Sequence, residues 1–504
     1  MRIFQIFSSR AVRLISVIFL QIFILVILFL VLNAFNAKIA IFFQAINILV
    51  LIAVINRSDN PTFRLTWAII ILSIPLVGGL IYLLLGNRKI TKSLTRLQIY
   101  EYGKLNIFNK EYYISESDLE ESIKKQYRYI EDNSYYPACN NTCTKYFSSG
   151  ESAFESILKD LNEAKHFIFI ETFIIKPGFM WDSILSILKE KVLENVQVYV
   201  LYDDFGCINS LSYRYDEYLR KQGINCAIFN PVKIKIESKM NNRNHKKNIV
   251  IDNKIAYIGG FNLADEYINV KSLYGKWKDA GIKITGEACY NCTIMFLQFY
   301  NAMTKEKKLN NLDFKLEHDI KSDNYCLPFS DSPTDSEDLS YNMHLNMLAN
   351  AKKSIYIYTP YLVIDYTITQ MLKLACKNGV KVVMVLPYIP DKYYISEVTR
   401  SNYYELVKNG VTIYEYLPGF LHSKVWVVDE KVATVGTVNM DYRSYYLNFE
   451  CSVLFNDKDA IETIVDDFNE TIKISKLITI KECQSVSAIR KFVRAILNIF
   501  APLM

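Results

Sequence analysis

Histidine is scarce in this 504-residue chain, which has five: His166, His245, His318, His344 and His422. Acidic side chains are all but missing from its first fifth, where residues 1–105 hold 2 Asp/Glu and 11 Lys/Arg. Ten cysteines are present without any repeated disulfide framework, which argues against a secreted scaffold held by bridges. Cys289-x-x-Cys292 and Cys139-x3-Cys143 lack a histidine partner at zinc-finger spacing, so they read as ordinary thiols and no metal or other cofactor is expected. The rest of the chain keeps 47 of the 58 Lys/Arg and 50 of the 52 Asp/Glu, a net charge of −3. A phosphate track for nucleic acid needs a basic surface. This part lacks one, so a nucleic-acid partner is not expected.

Apolar residues make up 51% of the chain and crowd towards its start. Runs at about 14–35, 39–56 and 65–85 each approach the length that crosses a hydrocarbon core of ~30 Å. The first, Leu14–Phe35, is too long for a signal-peptide core, and no small-residue cleavage site follows it cleanly. Residues 1–90 are therefore expected to form a membrane region with two to three transmembrane helices. Its basic residues read as contacts with anionic lipid. Arg88, Lys89, Lys92 and Arg96 favour a cytoplasmic C-terminal part, whereas Arg2, Arg10 and Arg13 pull the other way if there are three crossings. The unbridged cysteines tip the reading to the cytoplasmic face of a multi-pass protein of the cell membrane.

Two of the five histidines sit in one pattern written twice, 177 residues apart. His245-x-Lys247 leads to Asp252, and His422-x-Lys424 leads to Asp429, each H-x-K-x4-D. The surroundings are duplicated as well. Glu163–Thr172 matches Asn350–Thr359, and each copy continues as a helix (Met180–Val192, Ile368–Asn378) and a strand (Val196–Tyr202, Val380–Leu386). Strands alternating with helices predict an α/β fold with parallel sheet flanked by helices. The expected layout is a connector over 91–147, a first repeat over 148–304, a linker over 305–338, a second repeat over 339–482 and a C-terminal amphipathic helix over 483–504. In that last segment Ile489, Phe492, Val493, Ile496, Leu497 and Phe500 recur at helical spacing among Arg490, Lys491 and Arg494. It fits a membrane-surface helix or a packed terminal helix equally.

On a strand, alternate side chains share a face. His245 and Lys247 then point one way, as do His422 and Lys424, while Lys246 and Ser423 point away. Asp252 and Asp429 complete the catalytic motif but lie at an odd offset, which suits a supporting role. After the following turn, Gly260 and Asn262 in one copy, and Thr437 and Asn439 in the other, return hydrogen-bonding groups to the site; the asparagines are candidate phosphate binders. A nucleophilic histidine needs its far nitrogen held by an acceptor. Asp279 and Glu450, 34 and 28 residues after the two histidines, are the candidates. This inventory suits phosphodiester transfer: one imidazole attacks phosphorus, the other protonates the leaving alcohol, and the lysines and asparagines bind the non-bridging oxygens.

The chain resembles bacterial cardiolipin synthases of the phospholipase D superfamily. The likeness is carried by Asn242–Asp252, Ile258–Asn262 and Asp265-Glu266-Tyr267 in the first copy, and by Gly419–Asp429, Gly436–Ser444 and Leu447-Asn448-Phe449-Glu450 in the second. Thr359-Pro360-Tyr361, the Pro75–Gly86 stretch and the ending Phe500–Met504 fit too. The run Leu14–Phe35 is additional, and Ile364 stands where a second proline often occurs. The resemblance implies two pseudo-symmetric phospholipase D-like α/β/α repeats sharing one active site. It implies that two phosphatidylglycerols give cardiolipin and glycerol through a phosphohistidine, with His245 as nucleophile and His422 as general acid, then base. Phosphatidylglycerol, other anionic phospholipids and the membrane are the expected partners; the oligomeric state stays open. A phospholipase D-type hydrolase or another phosphatidyltransferase would use the same residues, as would a superfamily nuclease.

Overall fold

A computed structural model describes residues 23, 27, 37–58, 60–74, 78–86, 118–134, 136–232, 241–304, 319–334 and 337–504. The part that follows the N-terminal helices is built on two mixed sheets. The first comprises β1 (Thr142–Phe147), β2 (Phe167–Thr172), β3 (Gln197–Asp203), β4 (Asn225–Phe229), β6 (Asn248–Ile251), β7 (Ile255–Gly259) and β8 (Gly281–Gly286), in the order 4-3-2-6-7-8-1. The second comprises β9 (Cys326–Asp331), β10 (Ser354–Tyr358), β11 (Lys381–Pro387), β12 (Thr412–Tyr416), β13 (Val425–Val428), β14 (Val432–Gly436), β15 (Asn448–Phe455) and β16 (Ser475–Leu477). Its order is 16-12-11-10-13-14-15-9, which repeats the first with one strand added. The two-residue β5 (Arg243–Asn244) belongs to the first copy but pairs with β15 of the second.

Each sheet is only half parallel, a departure from the parallel sheet that alternation suggests. β2, β3 and β4 run parallel because helices cross over between them. β6, β7 and β8 run antiparallel because tight turns join β6 to β7, and likewise β13 to β14. Asp252 and Asn253 both have positive φ in the first turn, as do Asp429 and Glu430 in the second. β1 and β9 fall within the expected connector and linker. Both are edge strands, closing their sheets against β8 and β15.

The helices are α1 (Ala37–Ile55), α2 (Pro61–Ser73), α3 (Glu121–Asn133), α4 (Gly150–Asn162), α5 (Phe179–Leu193), α6 (Cys289–Thr304), α7 (Leu339–Asn350), α8 (Tyr366–Lys377), α9 (Tyr393–Ser401), α10 (Lys458–Lys473) and α11 (Ala488–Phe500), with shorter turns between. One hydrophobic cluster runs through both repeats, from Phe169 and Phe296 to Ile357 and Phe455. A second lies between the first sheet and α4 and α5, around Phe154, Trp181 and Leu188. Helix α6 is buried from Cys289 to Ala302, so Cys289 and Cys292 are core thiols.

Among the described residues, no helix is long and apolar enough to cross a membrane. The run at 14–35 lies outside them, apart from residues 23 and 27. Helix α1 has 19 residues and rises about 28 Å, just short of a hydrocarbon core. The run at 65–85 is not one helix: α2 stops at Ser73, and Ile74 leaves the helical region just before Pro75, where the proline ring disfavours it. The chain returns as a turn at Gly78–Ile81, where the Gly79 N–H donates to Asn47 Oδ1 of α1 (2.7 Å). The connection between α1 and α2 docks on the second repeat. Asn60 Nδ2 donates to Asp365 (2.8 Å) and Tyr446 (3.0 Å), and Phe63 packs edge-on against Tyr442 and Tyr446.

Candidate active site

The two H-x-K tripeptides lie just before β6 and β13, outside the strands themselves. Lys247 Nζ donates to the His245 carbonyl (2.7 Å) and Lys424 Nζ to the His422 carbonyl, which keeps each ammonium beside the histidine of its own motif. The intervening residues differ. Lys246 turns into the core, where it is fully buried, pairs with Glu171 (3.0 Å) and stands over the Phe299 ring. Ser423 holds that place in the second copy and is buried without a charge.

Each histidine receives its carboxylate from the opposite repeat. His245 Nδ1 lies 2.8 Å from Glu450 Oε2, and His422 Nδ1 lies 2.8 Å from Asp279 Oδ2. Backbone pairing causes the crossing. Asn244 sits beside Phe449 in the β5–β15 ladder, and the His245 N–H donates to the Phe449 carbonyl (2.9 Å). On the other side Lys278 pairs with Leu421, and the His422 N–H donates to the Lys278 carbonyl (2.7 Å). In both cases the histidine and the acid follow directly after paired neighbours.

Both carboxylates are fully buried and further restrained. Glu450 accepts from Thr437 Oγ1 (2.5 Å) and Asn448 Nδ2 (3.1 Å). Asp279 accepts from Trp277 Nε1 (3.2 Å) and the Ala280 N–H (2.9 Å). Gly260 and Thr437 occupy matching positions with opposite demands. A Cβ on Gly260 would lie 2.1 Å from Asp279 Oδ1, so the shorter acid needs a bare backbone there. The longer glutamate is gripped by a threonine instead.

Burial, the largest effect, lowers the pKa of His245 to about 4 and that of His422 to about 3, with the nearby lysines adding to it. Burial raises Glu450 and Asp279, but the adjoining histidines, the nearby lysines and the hydrogen bonds the carboxylates accept together outweigh it and hold both below the usual carboxylate range. The resting state is thus neutral imidazole beside carboxylate. An acceptor on Nδ1–H leaves the lone pair on Nε2. Burial also brings Lys247 down to about 8 and Lys424 to about 7. His245 is perturbed by Lys424 and His422 by Lys247, so the two motifs form one electrostatic site.

The remaining candidates divide. Asp252 and Asp429 do not join the histidines. Asp252 accepts from the backbone N–H groups of Lys165, His166 and Phe167 (2.7–2.8 Å), and Asp429 from those of Lys352, Lys353 and Ser354. From the turns they staple the entry of β2 and β10. Asn262 accepts from the Ile174 N–H (3.1 Å) and donates to Tyr267 Oη (2.6 Å). Asn439 is different: its side-chain oxygen is buried without a partner, and only its Nδ2 group could donate to a phosphate oxygen. Sequence reasoning missed Tyr267 and Phe420, whose rings pack with Trp277 against His422, while the Phe173 ring meets His245. Aromatic residues are too common in this chain for composition to single these out.

Comparison with known proteins bears on this geometry. The family described as cardiolipin synthase, PLD-like domain, matches residues 157–272 and 344–472, the two halves that carry the motifs. A phospholipase D-nuclease N-terminal family matches residues 45–87. Cardiolipin synthase of Alkalihalophilus pseudofirmus is 30% identical over 459 residues, covering 90% of this chain and 91% of that protein. Cardiolipin synthase 2 of Bacillus anthracis is 32% identical over 463 residues, covering 89% and 88%. This chain belongs to the cardiolipin synthase family. An uncharacterized protein of Streptococcus mutans is also similar, at 36% over 461 residues. Among solved structures, phosphatidylserine synthase of Haemophilus influenzae shares the fold, with a TM-score of 0.58 at 16% identity over 75% of this chain and 97% of that one. The cardiolipin synthase family is thus represented here by an α/β protein of two phospholipase D-like repeats.

Proposed function

We propose that this protein is a phosphatidyltransferase that condenses two phosphatidylglycerol molecules into cardiolipin and free glycerol. The observation that carries the reading is the pair of imidazoles, each clamped at Nδ1 by a buried carboxylate of the other repeat, with the lysine of each motif held on its histidine's carbonyl.

His245 Nε2 attacks the phosphorus of the first lipid, and the bond to its headgroup glycerol breaks. His422, whose protonated form is favoured once the anionic phosphodiester is bound, gives its proton to the leaving glycerol oxygen. His422 then takes the proton of a headgroup hydroxyl on the second lipid. That oxygen attacks phosphorus, and the bond to His245 breaks. Lys247, Lys424 and Asn439 hold the non-bridging oxygens as charge builds, and substrate binding favours the protonated lysines. Asn262 sits at the matching position of the first repeat.

A lipid substrate also suits the placement of the apolar N-terminal helices. The α1–α2 connection docks against Tyr442 and Tyr446, on the short helix between Asn439 and Glu450. We infer attachment to the cell membrane through the N-terminal region, with the catalytic part on the cytoplasmic side. Cysteine labelling from each side of the membrane tests that orientation.

For the reaction, the purified protein is incubated with phosphatidylglycerol in mixed micelles, and lipids and glycerol are quantified. Cardiolipin and glycerol in equal amounts are expected. Phosphatidic acid as sole lipid product would overturn the transferase reading in favour of a hydrolase.

A further inference from the structure

Helix α11 (Ala488–Phe500) is docked the wrong way round for a water-soluble terminal helix. Its polar side faces the protein. Arg490 and Arg494 both donate to Glu397 on α9 (2.9 and 2.8 Å through their Nε atoms), and Asn498 bonds Ser401 (3.1 Å). Only its end is tucked in by apolar packing, where Leu497 and Ala501 meet Phe63, Ile395 and Val398. The long apolar stripe is left outside: Ile489 is 79% exposed, Phe492 66%, and Val493, Ile496 and Phe500 are exposed as well. An amphipathic helix in water normally turns that stripe inward. Here the ion pairs with Glu397 hold the opposite orientation.

What covers the stripe follows from its neighbours and its charge. Thr66 Oγ1 of α2 donates to the Ile499 carbonyl (2.8 Å), so the end of α11 meets the N-terminal helices next to their docked connection. Those helices also expose apolar side chains, among them Phe42, Leu49, Ile52, Leu65 and Leu72. Residues 473–504 contain six Lys/Arg and one Glu. Lys473, Lys476, Arg490 and Arg494 pair with carboxylates of the protein, which leaves Lys481 and Lys491 to complement an anionic surface. An apolar stripe flanked by cations and continuous with further apolar helices has the character of an interfacial helix.

We propose that α11 lies in the surface of an anionic phospholipid bilayer, apolar face down, as a second contact that tethers the catalytic part beside its N-terminal helices. The catalytic reading enters only in choosing phosphatidylglycerol as the anionic lipid.

The test uses the full-length protein with the photoreactive residue p-benzoylphenylalanine in place of Phe492, reconstituted into bilayers of equal parts phosphatidylglycerol and phosphatidylcholine. A control carries it in place of Lys458, an exposed residue on α10. After illumination, lipid adducts at position 492 and none at 458 are expected. Chain-to-chain adducts at 492 would overturn the proposal in favour of a self-association surface. Absence of lipid adducts at 492, or equal yields at both positions, would also overturn it. The same preparation is assayed for cardiolipin. Lipid adducts without cardiolipin would leave the helix assignment standing and sink the proposed reaction instead; cardiolipin without adducts would do the reverse.

Discussion

Glu450 lies 205 positions along the chain from His245, yet its carboxylate is the one that holds the His245 imidazole, at 2.8 Å. Asp279 does the same for His422. Neither repeat therefore contains a complete histidine–acid pair, and the pairs assemble only with both halves folded together. Glu450→Gln and Asp279→Asn keep the shape but can donate to Nδ1 and so favour the wrong tautomer. Each is expected to lower kcat by roughly 10²–10⁴-fold with little change in KM. Steady-state kinetics in mixed micelles check this; a fall below threefold would refute the orienting role.

The symmetry between the histidines can be broken by trapping. After quenching in alkaline denaturant, labelled phosphatidyl adduct is expected to form slowly and persist on His422→Ala, which lacks both the acid for its formation and the base for its removal, and to be absent from His245→Ala. The reverse pattern would exchange the two roles.

Asp252 is expected to matter for stability more than for chemistry. Its carboxylate takes three backbone donors at the start of β2. Asp252→Ala leaves those N–H groups without their acceptor and should cost about 2–4 kcal/mol in unfolding experiments. At a temperature where the variant stays folded, most turnover should survive; its complete loss would make the aspartate part of the chemistry.

The buried Lys246–Glu171 pair has no charged equivalent in the second repeat. Lys246→Met strands Glu171 in the core and should destabilise by about 3–5 kcal/mol. Adding Glu171→Leu should recover most of that, because the stranded charge is then removed too. Denaturant midpoints of the single and double variants decide whether the pair is coupled.

The dependence of kcat/KM on pH follows from which protonation states the free enzyme needs. His245 must be neutral to attack, and burial holds it at about 4, so that requirement fails only as pH drops towards that value. His422, at about 3 in the free enzyme, must gain its proton as substrate binds, so kcat/KM also declines gradually as pH rises above that value. Lys424 and Lys247 must be charged to bind phosphate, and burial brings them to about 7 and about 8. Activity should therefore fall as pH rises through 7 to 8, well below the ordinary lysine value of about 10.4. A profile flat to pH 10 would contradict this assignment.

Much of this protein was legible without coordinates. The doubled H-x-K-x4-D marked the candidate site, and the matched segments Glu163–Thr172 and Asn350–Thr359 located β2 and β10. The odd offset of Asp252 and Asp429 pointed to supporting work because strand alternation is a local rule. Other features depend on partners distant in sequence, which periodicity does not identify. Edge strands β1 and β9 looked like connector and linker because only their pairing with β8 and β15 makes them sheet. The run at 65–85 looked continuous because hydrophobicity does not register the backbone conflict before Pro75. Asn262 and Asn439 looked equivalent until Ile174 and Tyr267 were seen to engage one of them.

By itself, then, the sequence determined which side chains are the candidates for the chemistry, since a doubled motif survives any arrangement of the halves. Only the tertiary structure decided which acid serves which histidine and which face of α11 looks outward. Both depend on backbone and side-chain contacts between segments far apart in the chain: β5 against β15, Lys278 against Leu421, and Arg490 and Arg494 against Glu397.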